Sequence, residues 1–196
     1  MRTRARLVEA AKEIFEEHGL PDARIADIAA RAGVSYGSFY HYFDSKEAVF
    51  RELVDEVHAR LRAPLDDVIF VRGSKLTPQE RLREGIRRHF ESYRDDARLM
   101  GVIEQAARLD DDVRAALEHR SGTSGAQIAD SISQLQKRGL ADPKLDPKIA
   151  AAALGSMTHR FAEIWLAEGQ VNCDFDAGVD TVTRLFVNAL GLDRLE

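Results

Sequence analysis

The chain of 196 residues has one cysteine, Cys173, so no disulfide can form within it. That fits a reducing compartment, where structural disulfides are rare. No run approaches the roughly 18 apolar residues that a membrane-spanning helix needs; the richest stretch, Ile149 to Leu154, is far too short. The basic start at Arg2, Arg4 and Arg6 is followed by Glu9, Lys12 and Glu13 where a secretory leader would be apolar. Together these absences point to a cytoplasmic protein without a membrane partner. The sequence also lacks a dinucleotide or phosphate glycine loop, a serine nucleophile elbow and a His-Glu-x-x-His pair. Its six histidines (18, 41, 58, 89, 119 and 159) show no metal-ligand spacing. No enzyme, metal or cofactor is expected.

Strand-like alternation is missing too, and what remains is helical. Leu7, Ala10, Ala11, Ile14 and Phe15 share one helical face, and Gly19 and Pro21 end that helix. Ile25, Ile28, Ala29 and Ala32 form a short second stripe that stops at Gly33. A third segment follows Ser35 and runs to Phe43. Asp44 to Glu47 has the spacing of a capping box in front of a long helix through Leu61. Residues 63–75 read as a connection. Thr77-Pro78-Gln79-Glu80 is a strong helix start, as is Asp146-Pro147. Further helical stripes run over Leu82–Tyr93, Leu99–Ala106, Val113–Leu135, Ala150–Trp165 and Val179–Leu190; whether Ser121–Gly125 breaks the third of these stays open. The fold class is all-α, about nine helices: an N-terminal three-helix domain over residues 1–46 and a helical bundle over 47–196.

Net charge is −5, which argues against a protein that coats nucleic acid nonspecifically. The first 46 residues balance, with seven Lys/Arg and seven Asp/Glu, so the whole acidic excess lies beyond them. For Arg2, Arg4 and Arg6, a basic arm reaching into a groove and a solvated terminus are equally open readings.

Residues 25–43 carry the functional signal. Two short helices joined by a glycine-containing turn make a helix-turn-helix. Ala29 is small enough for close helix crossing, Gly33 supplies the turn's backbone angles, and Val34 fills the gap between the helices. Ser35 caps the second helix. Tyr36, Gly37 and Ser38 then lie where such a helix meets base edges. Tyr40, His41 and Tyr42 offer hydroxyl or imidazole groups to phosphate oxygens. Phe39 and Phe43 read as core.

These residues resemble the tetracycline-repressor (TetR) family of transcriptional regulators. The match lies in Ile28-Ala29, Ala32-Gly33-Val34-Ser35, Gly37 to Phe43 and Ser45-Lys46-Glu47, with the preceding helix at the right distance. It covers about the first quarter of the chain. The resemblance implies a sequence-specific DNA-binding regulator, a repressor released from a palindromic operator on double-stranded DNA by a small effector. It further implies that Tyr40 and Lys46 contact phosphate, and that Tyr36, Ser38 and His41 face bases or the adjacent backbone. The chain departs from the family pattern at two places. Arg24 stands where a hydroxyl is common, offering a charged phosphate contact instead. Tyr36 stands where Lys or Arg is common, so no operator sequence carries over.

The resemblance makes the body a ligand-binding and dimerisation domain. Its aromatic and sulfur side chains suggest a pocket lined by Phe90, Tyr93, Met100, Ile103, Met157, Phe161 and Trp165, with Glu104 as a polar group. For each of these an ordinary core is the plainer reading, and Glu104 also fits a solvent-facing pair with Arg108. Such a lining favours a lipophilic or aromatic effector. The last two helices, with Ala150 to Ala153 and Gly155, suit a homodimer contact. Two alternatives remain: a DNA-binding regulator with no small-molecule inducer, and a helical adaptor protein.

Overall fold

A computed structural model describes residues 2–64 and 76–192, so the connection expected over 63–75 lies, from residue 65 on, outside the described residues. Among the described residues there are nine α-helices, one π-helical turn and no strand. The helices are α1 (Arg2–Asp22), α2 (Ile25–Arg31), α3 (Tyr36–Phe39), α4 (Lys46–Pro64), α5 (Pro78–Asp95), α6 (Ala97–Leu109), α7 (Asp111–Lys137), α8 (Pro147–Ala162) and α9 (Phe175–Leu190), with the π turn at Glu163–Ala167. They divide into two compact units, Met1–Ala59 with Arg98–Ala115, and Arg60–Ala97 with Ala116–Glu196.

Most helix starts follow the local chemistry read above. Thr77 and Glu80 close a capping box in front of α5, Asp146 accepts from the amides of Lys148 and Ile149, and Asp174 accepts from that of Ala177. Before α4 the cap differs from expectation: Ser45, not Asp44, accepts from an amide, that of Ala48 at 3.2 Å. The helix begins one residue later than the Asp44–Glu47 spacing suggested, so the hydroxyl occupies the capping position. Gly19 has φ 74°, which ends the regular part of α1, and one further turn runs through Pro21 to Asp22. The Ser121–Gly125 stretch does not break α7, whose backbone is helical throughout.

In the first unit the aromatic and aliphatic stripes of α1, α2 and α4 meet. Phe15 and Phe50 pack edge to face at 5.5 Å, and Leu7, Ile28, Phe39, Val49 and Val57 are fully buried. Each such side chain contributes about 1.5–3 kcal/mol by leaving water. Phe43 is also buried, so both phenylalanines read as core are core.

The turn between α2 and α3 is fixed twice. Gly33, at φ 64°, lets its amide bond the Ala30 carbonyl while the amide of Val34 bonds that of Ala29, each at 3.0 Å. This pair of bonds is the Schellman helix ending. The two carbonyls it leaves over, those of Ala32 and Gly33, accept from the Arg6 guanidinium. Arg4 in turn forms a two-pronged pair with Glu52 and lies 4.7 Å over the Phe43 ring. Neither arginine is therefore a groove-seeking arm or a solvated end. Both belong to α1, and both are spent holding the unit together. On the other side of the turn, Arg31 bonds Glu13 at 2.6 Å and Glu17 at 2.9 Å, tying the end of α2 to α1.

The second unit packs α5 against α9 and the π turn. Arg83 bonds Asp180 at 2.7 Å, Arg87 pairs with Asp176, and Arg94 sits 4.5 Å over the Phe175 ring. The sequence stripe reads as one straight helix through Trp165, but α8 stops at Ala162. The following turn widens to an i→i+5 bond, from the Glu168 amide to the Glu163 carbonyl at 2.9 Å. In this turn Trp165 stacks on Phe161 and Phe175 at 5.2 and 5.5 Å and lies against Gly178, where a Cβ would come within 2.6 Å of its ring.

Two outcomes follow. Gly33→Ala should cost about 1–2 kcal/mol in urea unfolding, because an L side chain resists this φ and the new Cβ would meet the Arg6 guanidinium at 2.7 Å. Arg6→Ala breaks the same clamp, so the double variant should lose less than the two singles together. His89 donates from Nδ1 to the Leu61 carbonyl at 3.3 Å, while its Nε2 is shut away from solvent. Burial depresses the imidazolium below its ordinary 6.5. Below that pH the unfolded chain binds a proton that the folded chain does not, so stability falls as pH drops from 6.5 toward the depressed value. A thermal melt series from pH 7.5 to 5 should show this fall, and His89→Gln should flatten it.

Candidate nucleic-acid interface

A four-residue helix is too short to hold itself, and α3 is held at both ends. At its start the Ser35 hydroxyl accepts from the Ser38 amide at 3.2 Å and lies 2.7 Å from the Ser38 hydroxyl. At its end the amides of Tyr42 and Phe43 both bond the Phe39 carbonyl, so the chain closes in a tight turn through His41. Phe39 is the inward anchor. Everything else on α3 and its turn faces outward: Tyr36, Gly37, Tyr40, His41 and Tyr42 are exposed, and Ser38 is half-buried. Three exposed tyrosines within seven residues are unusual for a surface that only meets water. A Cβ on Gly37 would meet nothing within 4 Å, so this glycine leaves the backbone open to a partner rather than serving packing.

Beside α3 lies an open cleft of about 490 Å³, lined by Ala23, Arg24, Ile25 and Ala26 at the start of α2, by Tyr36 and Tyr40, and by Asp44 to Glu47 at the start of α4. Arg24 precedes α2 and is exposed; its carbonyl accepts from the amides of Asp27 and Ile28, while its guanidinium has no hydrogen-bond or ion-pair partner among the described residues. Lys46 is placed differently from a free phosphate-binding lysine. Its ammonium donates to the carbonyls of Pro21 at 2.7 Å and Ala23 at 3.0 Å, which leaves one of three protons for a partner. The Tyr36 and Tyr40 hydroxyls are 2.9 Å apart and their rings meet edge to face at 5.4 Å. This bond pushes the Tyr40 phenol's ionisation up, so Tyr40 stays neutral at ordinary pH. Arg24, Tyr36, Tyr40 and Lys46 thus share one cleft, while Gly37, Ser38, His41 and Tyr42 do not line it.

The residues read from sequence as a pocket lining lie on α5, α6, α8 and the π turn. Met100 and Ile103 on α6 are fully buried in the first unit, and Glu104 is half-buried there. In the second unit Phe90 packs on Phe161 at 5.9 Å and on Trp165 at 5.4 Å, and Tyr93 faces His159 at 6.4 Å. Phe90, Tyr93 and Trp165 are buried, while Met157 and Phe161 are half-buried. Sequence reasoning passed over His89 in this cluster. It also passed over the clamps made by Arg4, Arg6 and Arg31, whose partners lie 14 to 48 residues away along the chain. No local spacing signals such contacts. No helix among the described residues is long and apolar enough to cross a membrane.

Comparison with known proteins agrees with this architecture. Residues 7–53 match the family model of bacterial regulatory proteins of the tetR family, and residues 75–177 match that of the tetracyclin repressor-like C-terminal domain. The HTH-type transcriptional repressor KstR2 of Mycobacterium tuberculosis is 32% identical over 149 residues, 73% of this chain and 71% of its own. The HTH-type transcriptional regulator EthR of Mycolicibacterium smegmatis is 27% identical over 193 residues, 95% and 85% of the two chains. Among solved structures, the transcriptional regulator FadR of Bacillus subtilis, in complex with stearoyl-CoA, shares the fold with a TM-score of 0.79 at 22% identity, over 94% and 98% of the chains.

Proposed function

The chain belongs to the TetR family of bacterial regulatory proteins, and from that membership we propose that it is a dimeric repressor released from a palindromic operator by a small apolar effector. The family makes it a DNA-binding transcriptional regulator. The observation that carries the reading is the exposed, Ser35-capped face of α3, with its tyrosines, beside a cleft that holds Arg24 and Lys46. In this reading residues 1–46 are the DNA-binding domain and α3 enters the major groove, with Gly37, Ser38, His41 and Tyr42 toward base edges and neighbouring backbone. Arg24, Tyr40 and Lys46 grip phosphates.

Residues 47–196 then carry dimerisation and effector binding. Ile149 on α8 is 71% exposed and Leu185 on α9 is 47% exposed, with Ala152, Ala153 and Ala189 also facing outward. Apolar side chains on two long helices gain by pairing with a second copy, and a two-fold pair matches a palindrome. The buried and half-buried side chains of Phe90, Tyr93, Met157, Phe161 and Trp165, largely aromatic, favour an apolar effector. KstR2 is a repressor, and the FadR neighbour holds a long-chain acyl thioester. The first supports repression and the second a lipophilic effector. Such an effector acts only through unequal affinity for the DNA-binding and released states. The cytoplasm is the compartment in which this function operates.

The test is selection from randomised duplex DNA by the purified full chain, followed by binding of single variants. An inverted repeat should be enriched at low salt. Ile149→Glu combined with Leu185→Glu should halve the mass in sedimentation and weaken binding of that repeat by at least about tenfold, since a lone head loses the second half-site's contribution. Enrichment of no sequence would remove the DNA reading. A variant that stays dimeric would move the interface away from α8 and α9.

A further inference from the structure

The outward face of α3 is not uniform. Tyr36 and Tyr40 line the cleft, and Gly37 and His41 do not. The cleft also holds Arg24 and Lys46 against Asp44 and Glu47, so its formal charges cancel. An anion in it would be held by directed hydrogen bonds rather than by net charge. The directed donors present are the Arg24 guanidinium, the remaining Lys46 proton and the two phenols.

The phenols are not independent. With their oxygens 2.9 Å apart, one proton is committed to the link between them. The pair therefore offers a single free O–H donor. Either hydroxyl can donate in this link; when Tyr36 donates to Tyr40, the Tyr40 proton is left free for a phosphate oxygen, and the rings meet edge to face at 5.4 Å. A braced single donor suits one phosphate oxygen. It does not suit a base edge, where discrimination comes from paired donor and acceptor patterns.

We infer that Tyr36 is a positioning residue that holds Tyr40 as a phosphodiester clamp on the cleft side of α3, leaving base reading to Gly37, Ser38 and His41. This rests on the DNA-binding reading and narrows it. At the one α3 position where the family commonly carries a cation, this chain carries a group that acts through its neighbour. Between Arg31 and Asp44 the chain has no Lys, Arg, Asp or Glu, so no bidentate arginine–guanine contact is available from this helix.

The test uses the duplex that the wild-type chain selects, with affinity read by fluorescence anisotropy for Tyr36→Phe, Tyr40→Phe and the double variant. Both tyrosines are exposed, so all three proteins should melt as the wild type does. Tyr40→Phe should weaken binding by about tenfold or more, the worth of a hydrogen bond to a charged group. Tyr36→Phe should weaken it severalfold, and the double variant should match Tyr40→Phe within about twofold, as expected for coupled groups. A second selection with Tyr36→Phe should return the wild-type consensus, whereas His41→Ala should change a preferred base. A new base preference for Tyr36→Phe, or fully additive losses, would overturn the inference while leaving DNA binding intact. Failure of the wild type to select any sequence would overturn both.

Discussion

One turn of helix cannot hold its shape in water, because nucleation fixes several residues for a single hydrogen bond. The helix proposed to read DNA, Tyr36–Phe39, is one turn. Its geometry has to be imposed, and much of the first unit serves that need. Phe39 anchors it from below, Ser35 caps its start, and the Gly33 turn sets its angle to α2. Arg6 reaches back from α1 to the two carbonyls that this turn leaves exposed, and Arg31 ties α2 to α1 from the other side. The outcome is a short rigid surface whose exposed groups need not be ordered on binding, which lowers the entropic cost of association.

That rigidity consumes charge. Arg4, Arg6 and Arg31 engage protein groups, and Lys46 gives two of its protons to carbonyls. Of the two cations lining the cleft, the Arg24 guanidinium has no partner among the described residues. In the proposed reading, a DNA-binding head built this way depends less on counterion release than a basic patch would, and more on hydroxyl groups at the surface. In residues 1–46, where charge balances, Arg4 and Arg31 pair with glutamates and Arg6 and Lys46 with carbonyls.

Much of this was legible before any coordinates. Helix periodicity from Leu7 to Leu190, the Thr77 capping box and the Asp146-Pro147 start are local signals, and local signals survive folding. The Ala32-Gly33-Val34-Ser35 turn was legible for the same reason. Most of what escaped depends on distant partners. The spacing that picked Asp44 missed the Ser45 cap by one residue. The roles of Arg4 and Arg6 depend on Glu52 and on the Ala32 and Gly33 carbonyls. The π turn that carries Trp165 onto Phe175 and Gly178 leaves no mark in an apolar stripe that fits a straight helix equally well. Of the suggested lining, Met100, Ile103 and Glu104 belong to the first unit and Phe90, Tyr93, Met157, Phe161 and Trp165 to the second.

Salt dependence of operator affinity separates a hydroxyl-based reading head from a basic one most directly. The slope of log affinity against log salt is about −0.9 for each phosphate neutralised. Two heads offering Arg24 and Lys46 should give a slope no steeper than about −4 on the selected duplex. A slope near −8 or beyond would mean that cations outside the cleft carry the contact, and that α3 and its tyrosines are not what holds this protein on DNA.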